Sequence, residues 1–155
     1  MPPLWIYLLL LVPAVPLAYD DFRMRQVAVV WLATLGIGSF GVAWIMSGVV
    51  AALSCTAANA GILAVFSAAI LFYQLLRRKP LRDFFVRYFG VGDSVMMLAI
   101  TPLFTPACYL RFLLTACLAA LAWWIVRRAA TIPLAGFMAL TLGMYVVCKT
   151  AGLWN

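Results

Sequence analysis

An all-α bundle of about six transmembrane helices, with no soluble domain, is the fold the sequence predicts, and three observations predict it. Of 155 residues, 68% are hydrophobic and the mean hydropathy is +1.11, whereas a soluble domain carries about 45–50% apolar residues. The apolar residues gather in runs suited to crossing a ~30 Å hydrocarbon core as helices. The 11 basic residues sit mostly in short gaps between those runs. Residues 1–155 read as a single domain, because the longest polar interval, roughly Arg77 to Gly92, is too short to bury a core of its own.

The first helix covers about Pro3 to Tyr19. It lacks a basic leading region and a small-residue cleavage site, so a retained helix is expected rather than a signal peptide. Pro13 and Pro16 are expected to kink it or end its regular part. Asp20 to Gln26 reads as a short polar loop. The second helix covers about Val27 to Met46, with Gly36, Gly38, Ser39 and Gly41 as small residues that admit a close neighbour. Ser47-Gly48 is a tight turn. The third helix, about Val49 to Leu76, is long enough to tilt or protrude.

Pro80 ends the helical pattern in the basic stretch that follows, and Phe84 to Phe89 reads as an aromatic, basic segment lying at the interface. The fourth helix, about Gly92 to Phe104, is shorter than a ~30 Å core requires at ~1.5 Å per residue. A start further upstream places Asp93 about one turn inside it. Thr105-Pro106-Ala107 is a turn. The fifth helix covers about Leu110 to Val126, with Trp123 and Trp124 as interfacial anchors, and the sixth about Ile132 to Cys148.

Six spans give a definite topology. The loops at 20–26, 77–92 and 127–130 fall on one side. They hold Arg23, Arg25, Arg77, Arg78, Lys79, Arg82, Arg87, Arg127 and Arg128, leaving only Arg111 and Lys149 elsewhere. Positive charge marks the cytoplasmic side, so both termini are expected outside. All four acidic residues, Asp20, Asp21, Asp83 and Asp93, fall on the cytoplasmic side too.

Several chemistries are excluded. The chain has no histidine, which removes Ser-His and Cys-His nucleophiles and the HExxH zinc site. Cys55, Cys108, Cys117 and Cys148 are scattered, without a CxxC pair, and read as buried, inert thiols. No metal or cofactor is expected. The charge of +7 is spread over loops as membrane topology requires, so no nucleic-acid partner is expected.

What remains is carboxylate chemistry. Asp93 stands at or just inside a membrane boundary, where an ionisable group costs about 2.5–3.5 kcal/mol and is a functional candidate by default. It also suits the first turn of a helix, bonding free N–H groups. Asp20 and Asp21 lie at the same boundary on another helix. Two neighbouring carboxylates do not both ionise cheaply, so one holds a proton. Such a pair activates a water with one member and protonates a carbonyl with the other. Alternatively, Asp20 and Asp21 pair with Arg23 and Arg25 as solvated loop charges.

Gly90-Val91-Gly92-Asp93 matches the GxGD signature of intramembrane aspartic proteases, and Asp93 to Ala99 resembles the GxGDxKLLA block of type IV prepilin peptidases. Asp21-Phe22-Arg23-Met24-Arg25-Gln26-Val27 resembles the start of that family's D-x-R-x-x-x-I-P-N pattern. Ile132-Pro133-Leu134-Ala135-Gly136-Phe137 resembles its P-x-G-P-like motif, with the spacing altered by one residue. The departures are Val27-Ala28-Val29 in place of Ile-Pro-Asn, and Val95 where a lysine is expected.

The resemblance covers nearly the whole chain and matches the short form of the family, without the N-terminal CxxC domain associated with methylation. It implies an aspartic-type endopeptidase of a bacterial inner membrane that removes the basic leader from prepilin-like substrates at the cytoplasmic face. No methyltransferase activity is expected. Asp21 and Asp93 would be the catalytic pair, with Asp20 in reserve for the first position. Gly90 and Gly92 would shape the backbone, and Pro133 and Gly136 would support it. The partners would be the substrate, the bilayer and, through the small-residue faces, further copies of the chain. The second reading is an inactive relative acting as a multi-pass scaffold or small carrier. The two differ in whether Asp21 and Asp93 come within reach of a shared water.

Overall fold

The computed structural model describes residues 4–77, 90–128 and 132–152. The expected helix break at Pro80, the interfacial stretch from Phe84 to Phe89 and the loop at 129–130 lie outside the described residues. All the regular structure described is helical: a 3-10 segment Leu4–Leu10 leading into α1 (Leu11–Met24), then α2 (Val29–Ser47), α3 (Val49–Leu76), α4 (Val91–Ala99), α5 (Pro106–Arg127) and α6 (Leu134–Thr150). Four stretches are long and apolar enough to cross a bilayer, namely Leu4–Met24, Val29–Ser47, Val49–Leu76 and Pro106–Arg127; α4 with its 3-10 extension and α6 are shorter apolar helices. The outward surface is hydrocarbon: Ile37 is 76% and Val50 78% exposed. Such a surface suits lipid, and the chain is a membrane protein.

The first helix differs from expectation at both ends. It runs as a 3-10 helix up to Leu10 and becomes α-helical before Pro13. Pro13 and Pro16 both fall within the continuous helical stretch Leu4–Met24, Pro16 inside α1 itself, so neither ends the helix. At the other end, the expected polar loop is still helix as far as Met24, closed by the Arg25 N–H donating to the Asp21 carbonyl at 3.2 Å. Asp20 and Asp21 therefore sit on a helix rather than in a loop.

Gly48 makes the turn between α2 and α3. Its φ of +86° is a conformation that side chains disfavour. Its N–H donates to the Trp44 carbonyl at 2.9 Å, and its carbonyl accepts from Ala52 at 3.0 Å. A single residue thus ends one helix and starts the next.

α4 sits inside the bundle, against α2 on one side and α6 on the other, with further contact to α3. Met96, Met97 and Ile100 face the core. The helix ends at Ala99 and tightens into a 3-10 turn, Thr101–Leu103. The freed carbonyls there need partners in an apolar interior. Asn59 of α3 supplies them: its amide donates to the Thr101 and Phe104 carbonyls at 2.9 and 2.8 Å. The Tyr109 hydroxyl donates to the Met97 carbonyl at 3.0 Å. α1 packs most extensively on α6, and α6 on α5. Leu17, Leu35, Met138, Leu142 and Val146 fill the centre. This alternating arrangement gathers the C-terminal ends of α1 and α5 and the N-terminal ends of α2, α4 and α6 at one end of the bundle.

Candidate active site

Both candidate carboxylates lie at that shared end, beside the start of α6. A helix leaves its first N–H groups without internal partners. Pro133 caps the helix and has no N–H of its own. The Leu134 N–H donates to the Ile132 carbonyl at 3.0 Å, and the Phe137 N–H to the Pro133 carbonyl at 3.1 Å. Between them, the Ala135 N–H lies within electrostatic range of the Asp93 carboxylate. The Gly136 N–H donates to Asp21 Oδ2 at 2.6 Å. The Gly136 peptide group thus holds Asp21, Asp93 lies near the preceding one, and the positive end of the α6 dipole favours negative charge on both.

Asp21 is buried, at 6% exposure. Arg25, one turn on, lies close enough for its charge to act on it. Arg23 does not pair with either aspartate. It stacks over the Tyr19 ring, 5.6 Å from the centroid, and donates to the Tyr19 hydroxyl. Asp20 is half-buried, about 100° round the helix from Asp21, and among the described residues no hydrogen bond links it to α6. Asp93 is the third residue of α4, half-buried, and within electrostatic range of Asp21. The first-turn position that the sequence allowed for Asp93 and the proximity to Asp21 therefore hold together.

The glycines have distinct steric reasons. A Cβ at Gly90, the cap of α4, would stand 3.0 Å from Asp93 Oδ2, so its absence lets that carboxylate fold back over the helix start. A Cβ at Gly92 would stand 3.2 Å from Val27 Cβ and Cγ2, so its absence lets α4 approach the entry to α2. A Cβ at Gly136 would stand 3.0 Å from Phe22 Cε2 and 3.1 Å from Asp21 Oδ2. Each of these is tighter than ordinary van der Waals contact, and at Gly136 the obstacle includes the carboxylate itself.

Sequence reasoning missed the residues that wall the site. Phe22 packs edge-on against Phe137 with ring centroids 5.2 Å apart and against Trp123 at 6.1 Å. Arg127 lies over the Trp123 ring at 5.0 Å. Trp123 is thus part of an aromatic cluster behind Asp21, besides any interfacial role. The cysteines also depart from the reading of buried thiols: Cys55, Cys108 and Cys148 are half-buried, and Cys117 departs furthest. It is exposed and lies within electrostatic range of Asp93. No spacing rule links α5 to α4, so only the assembled bundle reveals it.

The arrangement sets two carboxylates of unlike surroundings, one buried and one half-buried, within electrostatic range of each other. No protein-family model, curated protein or solved structure matches the chain.

Proposed function

We propose that the chain is a membrane-embedded aspartic endopeptidase of the prepilin-peptidase type, cutting a basic leader from prepilin-like substrates at the cytoplasmic face of a bacterial inner membrane. The observation that carries the reading is the gathering of both carboxylates at the start of α6, with Asp21 bonded to the Gly136 N–H and Asp93 within electrostatic range of Asp21 and of the Ala135 N–H. A scaffold has no need to bring two carboxylates together inside an apolar bundle, where their repulsion and desolvation are unfavourable.

The pair works with one proton between its members. The ionised carboxylate takes a proton from the bound water as its oxygen attacks the scissile carbonyl carbon. The protonated carboxyl gives its proton to the carbonyl oxygen, forming a neutral diol. Collapse of the diol breaks the C–N bond, with a proton returned to the leaving nitrogen. The first turn of α6 holds Asp21 in place beside Asp93 through this exchange, and fixed donors of this kind need no rearrangement during reaction. The gathering of 9 of the 11 basic residues in the loops on the aspartate side supports a cytoplasmic site. Anionic lipid at that face screens the arginines from the approaching leader.

The test is co-expression with prepilin-like proteins encoded nearby, following leader removal by intact mass with Asp93→Asn as control. Processing by the parent and not by the variant supports the reading. Processing by both removes Asp93 from it.

A further inference from the structure

The end of the bundle away from the aspartates carries a charge that the candidate site does not use. Arg111 lies in the first turns of α5, about 8 Å along its axis from Pro106. That helix is long and apolar enough to cross a bilayer, and a charge within such a span is a functional candidate. Helix stability does not account for it, because the start of a helix disfavours a cation. Topology does not either, since 9 of the 11 basic residues gather in the loops at the other end. Lys149 also falls outside those loops, but it stands in the last turn of α6, where the helix end favours a cation. Nor does the described chain supply a partner. Among the described residues the Arg111 side chain makes no hydrogen bond or ion pair. Asp20, Asp21 and Asp93 all lie at the opposite end of the bundle.

Arg111 borders a cavity of about 330 Å³ between α5 and α6. Small-molecule sites run to about 300–1,000 Å³ and join a mostly apolar wall to a few placed polar groups. The floor here is a row of rings. Phe104 packs against Phe112 and Tyr145, with centroids 5.0 and 4.7 Å away. Thr115 and Thr141 also line the cavity, but their hydroxyls donate to the Phe112 and Phe137 carbonyls at 2.8 Å each. Among the described residues Arg111 is the one charged group in the wall. Inward from Arg111, the α5 wall continues through Thr115 to Ala119, a further ~12 Å at ~1.5 Å per residue. This is most of one leaflet's share of a ~30 Å core. The lipid-facing grooves between α1 and α6 and between α2 and α4 are larger, at about 490 and 420 Å³, and have no charged residue in their walls.

We infer that the α5–α6 cleft holds one acyl chain of an anionic phospholipid, from the leaflet opposite the aspartates, with Arg111 on its phosphate. A guanidinium is a planar fork that meets two phosphate oxygens at once. A zwitterionic headgroup brings its own cation, so net negative charge selects the lipid that Arg111 holds. The acyl chain runs inward over Phe112 and Tyr145 toward Ala119. The inference is independent of the peptidase reading.

Photo-labelling tests the site. The probe is phosphatidylglycerol with a diazirine midway along one acyl chain, present as a minor component of phosphatidylcholine vesicles that hold the full chain. Labelled residues are mapped by peptide mass. Residues 112–119 and 141–145 should be labelled at least fivefold more than those of the α2–α4 groove. Unlabelled phosphatidylglycerol should suppress that labelling, and further phosphatidylcholine should not. Arg111→Gln should reduce it to the level of the α2–α4 groove, whereas Arg111→Lys should keep at least a third. Each variant is first matched to the parent by its thermal midpoint. Ala119→Trp fills the inner end of the cleft while keeping Arg111, and should lower the labelling at least fivefold by a separate route. Equal labelling of the two grooves, or labelling that Arg111→Gln leaves unchanged, makes the lipid ordinary solvent and overturns the inference. Equal competition by phosphatidylcholine removes the role of charge and overturns it as well. An unlabelled cleft also overturns it, and assigns the cleft to a second copy where the protein scatters light as a dimer.

Discussion

Asp21 and Gly136 are 115 residues apart in sequence and joined by a 2.6 Å hydrogen bond from the Gly136 N–H to Asp21 Oδ2. That bond ties the end of the first helix to the start of the last. It selects Asp21 over its neighbour Asp20, and it demands glycine at its other end.

The selection gives the first prediction. Asp21→Asn and Asp93→Asn should each lower leader removal by a factor of about 10² or more, the scale of a lost acid or base. Asp20→Asn should stay within about twofold of the parent, since its side chain stands apart from the pair. Intact-mass assay of the substrate, with membrane-fraction yield as the control for insertion, separates these outcomes. Equal losses in Asp20→Asn and Asp21→Asn would remove the distinction.

Gly136→Ala places a methyl 3.1 Å from Asp21 Oδ2 and 3.0 Å from Phe22 Cε2. Overpacking of this kind costs about 1–3 kcal/mol. Activity should fall tenfold or more, because the carboxylate must leave its donor. Adding Phe22→Ala should restore the thermal midpoint in part, but not the activity, since only the ring contact is relieved.

Gly92→Ala meets Val27 Cβ and Cγ2 at 3.2 Å. It should push α4 from α2 and misplace Asp93 by the next residue. Val27→Gly removes both atoms in the way. The double variant should therefore recover activity that Gly92→Ala loses, and the coupling is read from the four initial rates. Additive losses would show that the contact does not position Asp93.

Asn59 reaches the Thr101 and Phe104 carbonyls from a fully buried position. Asn59→Leu leaves both carbonyls without that donor in an apolar interior. A loss of about 1–3 kcal/mol is expected, read as a lower thermal midpoint in detergent. Cleavage at low temperature should persist, because the aspartate end of α4 is untouched.

Much of the architecture was legible in the sequence. The bounds of α3 follow from Gly48 before it and the basic run after it, and the structure places it at Val49–Leu76. The carboxylate of Gly90-Val91-Gly92-Asp93 stands out because few acidic residues occur in so apolar a chain. The stretch from Asp20 to Met24 was less legible. Its charges resemble a solvated loop, and what makes it helix is tertiary: the Gly136 bond to Asp21 and the Phe22 contacts with Trp123 and Phe137. The early end of α4 was also hidden, because the amide that donates to the Thr101 and Phe104 carbonyls just beyond it comes from residue 59. Local pattern reports which side chains shun water. It does not report which distant donor completes a backbone.

The bond by which α6 holds Asp21 has a consequence for how the protein is made. Ribosomes deliver helices in order, and Asp21 enters the bilayer long before residues 135 and 136 exist. Until α6 inserts, Asp21 lacks its N–H partner, and the unfinished chain presents two acids without the helix start beside which they lie. The two aspartates therefore come together at the start of α6 only once α6 has been made, and a chain truncated ahead of α6 reaches the membrane without that arrangement.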